Sequence, residues 1–323
     1  MLKYLIIPLA KDAVSFCHYD RNTNTDGLID IKHLRKALFW SMTENLNVQF
    51  VYPDRELPAE YKAVIDTVDH VSIVGSKCED EQLVDEAEII VFDGWNDIDG
   101  FDFKPDKNYV VRTSCTELFN KVDEVKSMLA EVGRLVVVIT DVDKFNEADF
   151  EKYEAFLSAL VPAVKEEYGK EHDVHFNLLT DRMMLDGMNN CNAGHESITL
   201  APDGRFYICP AFYLDGSNPV GDIVNSLEIK NPQLYRLDHA PICRRCDAWQ
   251  CRRCVWLNRR TTLEVNTPSH EQCVVAHIER NTSRKLFEEI RTLGEFMPNK
   301  EIEEIVAREN ILRAEISKIV AEI

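Results

Sequence analysis

CRRCDAWQCRRC, residues 243–254, holds four cysteines in twelve residues, as two CxxC pairs with only Asp247–Gln250 between them. What these thiols bind decides what the rest of the chain must fold into. Zinc sites usually join two CxxC pairs across about 12–20 residues, which lets the chain wrap one ion. A four-residue spacer is tight for that and closer to the dense spacing of iron–sulfur proteins, whose cysteines can be shared between neighbouring clusters. A thioredoxin-like redox pair needs a strand–helix setting, and these pairs have none. Working outward, Cys191, Cys209 and Cys273 bring the count to seven of the chain's ten cysteines. The spacing favours an iron–sulfur ligand set and leaves zinc as the alternative. Of the three scattered thiols, Cys78 and Cys115 read as small buried hydrophobes.

The chain has 323 residues and a net charge of −19, unevenly spread. Residues 1–186 carry 20 Lys and Arg against 37 Asp and Glu, whereas residues 187–273 carry 9 of each. An acidic body repels phosphate backbones, and no basic stripe with interleaved aromatics offsets it, so nucleic acid is not an expected partner. The neutral segment is the cysteine-rich one, where Arg244, Arg245, Arg252 and Arg253 would offset thiolate charge. No apolar run approaches the length of a bilayer span, and no signal peptide opens the chain. The expectation is a soluble, cytoplasmic protein whose thiols stay reduced.

Upstream, apolar runs alternate with amphipathic ones. YLIIPL from Tyr4, VQFVY from Val48, VSIV from Val71, EIIVF from Glu88, YVVR from Tyr109, LVVVIT from Leu135 and VHFNLL from Val174 read as buried parallel strands. Helical spacing follows Asp30, Thr116 (Leu118, Val122, Val125, Leu129, with Gly133 as the stop) and Asn146. This is an α/β chain with a parallel sheet, doubly wound or rolled into a full or partial barrel. Asp54, Asp93, Asp141 and Asp181 follow strands, at the edge where such folds bind ligands. Helix capping is the simpler reading of them.

Near Asp186 the pattern changes. ITLAPDGRFYIC reads as a hairpin, with Ile198 and Leu200 facing Phe206 and Ile208 across Pro202-Asp203-Gly204. An irregular stretch to about Cys273 and two helical segments follow, near Thr282–Leu293 and Asn299–Ile323. The last carries an apolar stripe of Ile302, Ile305, Val306, Leu312, Ile316, Ile319 and Val320, expected to pack into the core. The implied division is 1–186, 187–280 and 281–323.

The order Cys191, Gly204, Cys209, Cys243-x2-Cys246-x4-Cys251-x2-Cys254, Cys273 resembles the SPASM domain. That C-terminal extension carries two auxiliary [4Fe–4S] clusters in radical SAM peptide-maturing enzymes. The last two spacers are four and two residues here, each one shorter than in the family. The resemblance implies that Cys191, Cys209 and Cys254 hold the first cluster, and that Cys243, Cys246, Cys251 and Cys273 hold the second. A further cysteine often follows the first ligand, but here that stretch reads NAGHES. The fourth position of the first cluster is then open, or filled by His195, a more distant residue or substrate.

A SPASM domain implies a radical SAM partial (β/α) barrel before it, and such barrels need CxxxCxxC after the first strand. The matching segment is FCHYDRNTN, with Cys17 in the first position and Arg21 and Asn24 in the other two. YPDREL from Tyr52 replaces the glycine-rich turn after the second strand. One thiol cannot hold the radical-generating cluster, so no S-adenosylmethionine is expected. The whole chain, including MLKYLIIPLAKDAVSFCHY and NVQFVYPDRELPAEYKAVIDTVDHV, resembles the CXXX repeat peptide maturases.

That resemblance implies an iron–sulfur component of a system maturing ribosomally made peptides. Its partners would be a Cys-rich precursor peptide and a complete radical SAM enzyme, and its role peptide binding, electron relay or both. Two alternatives stand beside it: a zinc-stabilised, non-catalytic scaffold, and a self-sufficient radical SAM enzyme with unusual ligation.

Overall fold

A computed structural model describes residues 2–23, 27–251, 253–302, 306 and 310–321. Asn24, Arg252 and Ile305 lie outside the described residues, as do the side chains of Leu312 and Ile319. Strands and helices alternate from the start: β1 (Tyr4–Pro8), α1 (Ile31–Glu44), β2 (Asn47–Val51), α2 (Ala59–Ile65), β3 (His70–Gly75), α3 (Glu81–Glu86) and β4 (Ile89–Asp93). The alternation continues through β5 (Asn108–Thr113), α4 (Cys115–Leu118), α5 (Val122–Glu131), β6 (Arg134–Ile139), α6 (Glu147–Gly169) and β7 (His175–Phe176). Then come β8 (Ser197–Leu200), β9 (Phe206–Tyr207), α7 (Pro210–Leu214), β10 (Gly221–Asp222) and β11 (Ser226–Leu227). The chain closes with α8 (Val255–Thr262), α9 (His270–Arg291) and α10 (Ile311–Val320).

These elements form two compact units: Met1–Phe101 with Cys191–Arg236, and Asp102–Asn190 with Leu237–Ile323. In the first, β4, β3, β2, β1 and β8 lie side by side in parallel, and β9 returns antiparallel to β8. Parallel strands covered by helices need apolar residues on both faces. The continuous runs supply them, with Leu5, Ile7, Phe50, Val74 and Phe92 fully buried. The β8–β9 hairpin pairs Thr199 with Tyr207 and Leu200 with Phe206, as the alternation in ITLAPDGRFYIC requires. Gly204 turns it at φ +77°, where a side chain would strike the His33 ring.

In the second unit β7, β6 and β5 are parallel, and α6 packs along α9. Asn146 begins α6 with a capping box, its side chain accepting from Ala148 N at 2.9 Å while Asp149 accepts from Asn146 N at 3.2 Å. The chain is therefore α/β, as its alternation predicts.

Three local readings are corrected. The helix expected after Thr116 is broken into α4 and α5, because Ser114 caps a short helix that ends in a turn at Asn120 and Lys121. Gly133 does follow the end of α5 at Glu131, and its missing side chain lets the backbone pass against the Pro105 carbonyl. The helix expected near Thr282 starts at His270, where Ser269 and Gln272 form a capping box, so Cys273 is helical rather than irregular. On α10, Ile316 and Val320 are exposed, so these two stripe residues do not pack into the core.

Candidate metal centres

The segment expected to match CxxxCxxC lies in the loop after β1. Cys17 is half-buried there. Arg21, in the second ligand position, is instead ion-paired to Asp54 at the end of β2. Burial alone would lower the Arg21 pKa, but Asp54, then Asp93 and Asp12, outweigh it and raise it. Arg55 pairs with Asp12 in the same unit. Gly75 matters here because a Cβ on it would collide with the Asp54 carboxylate. The ends of β1, β2 and β4 thus carry carboxylates gathered on a guanidinium, which puts a cation where the expected cluster would need a thiolate.

The other strand-end acids have separate employments. Asp141 accepts from the Cys115 backbone N–H at 2.9 Å, at the start of α4. Burial first, and Asp141 second, push the Cys115 thiol up to about 11, and burial also raises Cys78. Both are protonated, packed thiols, as isolated cysteines should be. Asp181 pairs with Arg134 at 2.6 Å.

In the first unit Cys191 is exposed at the start of a tight turn, its carbonyl accepting from Ser197 Oγ at 3.0 Å. Asn192 and Gly194 take left-handed backbone there, and Tyr235 packs so closely on Gly194 that no side chain fits. His195 occupies the turn beside Glu196, whose carboxyl is lowered by Lys3 first, with Asn192 and His195 adding. Cys209 begins α7. Burial raises its thiol pKa, and Cys191 and then Cys17 raise it further, so these three sulfurs share one electrostatic neighbourhood.

The second unit holds the other five of the seven clustered cysteines. Cys243 opens a 3-10 turn in which Cys246 N donates to Cys243 O at 3.2 Å. Two further turns, Trp249 N to Asp247 O and Cys251 N to Ala248 O, coil the segment onto itself. Cys251 is pushed up to about 12 by burial and by Cys243. A metal must displace that proton, and thiolate formation and binding are then one event. Cys254 is half-buried and caps α8, its Sγ accepting from Leu257 N at 3.5 Å. Arg253, between two of these cysteines, is only 1% exposed.

Cys273 lies in the first turn of α9, and one turn later stands His277, which sequence reasoning missed. His277 Nδ1 is 2.7 Å from the Cys273 carbonyl oxygen, and Nε2 is 3.7 Å from Cys246 Sγ. Cys246, Asp247 and His277 bring donor atoms within 4.8 Å of one another, the one such trio of potential metal ligands among the described residues. Asp247 is clamped by Arg280 and Arg284, the latter at 3.0 Å. Burial would raise its carboxyl, but Arg280 foremost holds it well below the usual carboxylate range. The signal was present in the sequence, since Cys273 and His277 are four apart and share a helix face. Beside the clamp is a cavity of about 320 Å³ lined by Arg182, Asp247, Trp249, Arg280 and Lys300 among others.

The described residues show no closed four-cysteine site of the kind one zinc ion gathers. One tetrahedral zinc ion would gather its sulfurs within about 4 Å of each other, and no three of the described cysteines converge so. A cubane binds each thiolate to a different iron and holds them farther apart.

No protein-family model matches the sequence, and neither does any curated protein. Solved structures do. The chain is similar to anSMEcpe with bound AdoMet and the Cp18Cys peptide, at TM-score 0.59 and 15% identity over 91% of this chain and 99% of that one. A tagged form of anSMEcpe with bound AdoMet matches at TM-score 0.55 and 12% identity, over 99% and 98%. At such identities the likeness shows the fold, the radical SAM-type α/β architecture. Among the described residues no helix is long and apolar enough to cross a membrane.

Proposed function

We propose that this protein is an iron–sulfur component of a ribosomal peptide maturation system, a CXXX repeat peptide maturase in type. In this reading it binds a Cys-rich precursor peptide, relays electrons, or does both, beside a complete radical SAM partner in the cytoplasm. The observation that carries the reading is a fold that matches, over nine-tenths of the chain, a structure holding AdoMet and a peptide. Its own second ligand position is an arginine paired with Asp54. Peptide binding carries over; generation of the radical does not.

Two [4Fe–4S] clusters would sit in the C-terminal part, which functions as a SPASM-like region of residues 187–280 after a barrel of 1–186 and before helices of 281–323. Cys191, Cys209 and Cys254 would hold the first, with His195 or Cys17 as candidates for its fourth position. The electrostatic proximity of Cys17 to Cys209 favours Cys17. Cys243, Cys246, Cys251 and Cys273 would hold the second. Bound clusters supply one-electron chemistry. This chain's part is to deliver thiolates, to offset their charge with Arg253, and to limit water around them with Trp249 and Trp256.

The test is iron and sulfide analysis of anaerobically purified protein, with Cys246→Ala beside it. About eight irons and eight sulfides per chain, halved in the variant, is the expected result. Zinc without sulfide would overturn electron relay and favour the scaffold reading, for which the mixed nitrogen and sulfur donors at Cys246 and His277 speak.

A further inference from the structure

We infer that the outer face of α1 is a docking surface for a folded partner protein, one with an apolar groove rimmed by carboxylates. The surface is read from α1 itself; that the partner is a radical SAM enzyme rests on the proposed function.

The helix is closed at both ends. Asp30 caps it, accepting from Lys32 N at 2.7 Å, and Asn45 ends it in left-handed backbone. Leu34, Ala37, Leu38 and Ser41 are its buried side. At about 100° per residue, Lys32, Arg35, Lys36, Phe39 and Met42 fall on the opposite side, within an arc of about 120°. All five are exposed, Phe39 at 70% and Met42 at 60%.

Two features set this face apart. Phe39 and Met42 are neighbours one turn from each other, and burying them would take apolar surface out of water. The charges are the second feature. Lys32, Arg35 and Lys36 have no carboxylate partner among the described residues, in a chain of net charge −19. Other helices pair their surface lysines: Lys126 with Asp123, Lys152 with Asp149, Lys170 with Glu166. An apolar pair framed by unpaired cations has the anatomy of an interface, and its complement is acidic.

Shape and charge select the occupant. A helix face is convex and cannot enclose a short peptide, so it enters a groove on the partner. A second copy related by a two-fold axis would set the three cations against themselves. Nucleic acid and anionic lipid would attract the cations, but the acidic body around them repels both. Position adds to this. Trp40 packs on Phe206 with ring centres 5.0 Å apart, and His33 lies against Gly204. The helix therefore rests on the hairpin that leads into Cys209, and a partner on α1 docks beside the candidate first centre.

The experiment is photocrosslinking of the full chain, with Phe39→p-benzoylphenylalanine, in the cells that make it. The same group at Val224, 65% exposed, is the control. Mass spectrometry identifies the adduct and maps the crosslinked peptide. The expected result is one protein captured at position 39 and not at 224, through an acid-lined groove. That protein, purified, should bind the wild-type chain about 10-fold or more weakly at 500 mM salt than at 50 mM. Phe39→Ser should weaken binding by about 30-fold, and combined Lys32→Glu, Arg35→Glu and Lys36→Glu should abolish it. The salt dependence is read on wild-type protein, so a misfolded variant would not obscure it.

No adduct specific to position 39, an adduct to a second copy, or binding that ignores salt overturns the inference. So does sedimentation with phosphatidylglycerol vesicles in place of a protein adduct. A captured protein that meets these tests but lacks CxxxCxxC leaves the docking surface standing and removes the radical SAM partner from the proposed function.

Discussion

Arg21 stands four residues after Cys17 and is ion-paired to Asp54. Its guanidinium stands where a second cluster thiolate would be required, and Asp54, Asp93 and Asp12 all bear on it. Arg21→Ala should therefore cost about 1 kcal/mol, since the pair is partly exposed and the carboxylates then repel one another. A lower urea midpoint with unchanged slope would report it. Adding S-adenosylmethionine and a reductant to wild-type protein should give no 5′-deoxyadenosine, as judged by chromatography; its formation at catalytic rates would restore the self-sufficient enzyme. Arg21 and Cys17 could be read directly, because a missing ligand is a fact of composition. Asp54 as the partner could not, since 33 residues separate the two and only the sheet brings them together.

At the scale of elements, α9 organises the second unit. Its N-terminus depends on Ser269, whose Oγ accepts from Gln272 N at 3.3 Å. Ser269→Ala should destabilise by about 1 kcal/mol, and metal uptake should weaken with it because Cys273 sits in that first turn. Further along, Glu279 accepts from Tyr153 Oη at 2.6 Å and Arg182 Nη2 at 2.7 Å. Glu279→Ala would leave Arg182 buried without this carboxylate, a change that costs about 3–5 kcal/mol and should be plain in thermal melts.

A second element couples to pH. Asp80 caps α3, and hydrogen bonds from Lys62 first and Leu83 N after it lower its pKa. Its contribution is then present above the ordinary aspartate value near 4 and lost as pH falls through the lowered folded value. Asp80→Asn should be less stable than wild type at pH 7 by under about 1 kcal/mol, with the difference closing on acidification. A constant difference from pH 7 to pH 2 would contradict that.

Across the whole molecule, the strands and most helices were legible because burial on both faces leaves a plain apolar run, and because turns and caps announce themselves locally. Gly204 in its hairpin and Asn146 before α6 are examples. What was not legible depends on contacts between distant segments. The early start of α9 carries no apolar period, since His270, Glu271 and Gln272 are polar, and only the Ser269 capping box marks it. Each compact unit draws on chain from both sides of the break near residue 190, which no local pattern announces.

The sequence by itself determined the class of fold and the inventory of thiols, because periodicity and spacing are local and survive any arrangement in space. It also determined that Arg21 and Asn24, not cysteines, follow Cys17 at the CxxxCxxC spacing. Only the tertiary structure decided what those residues meet: Arg21 on Asp54, Cys17 near Cys209, and His277 between the Cys273 carbonyl and the Cys246 sulfur. A ligand's chemistry belongs to its side chain, but whether it can bind is a distance, and distances between remote residues exist only once the chain has packed.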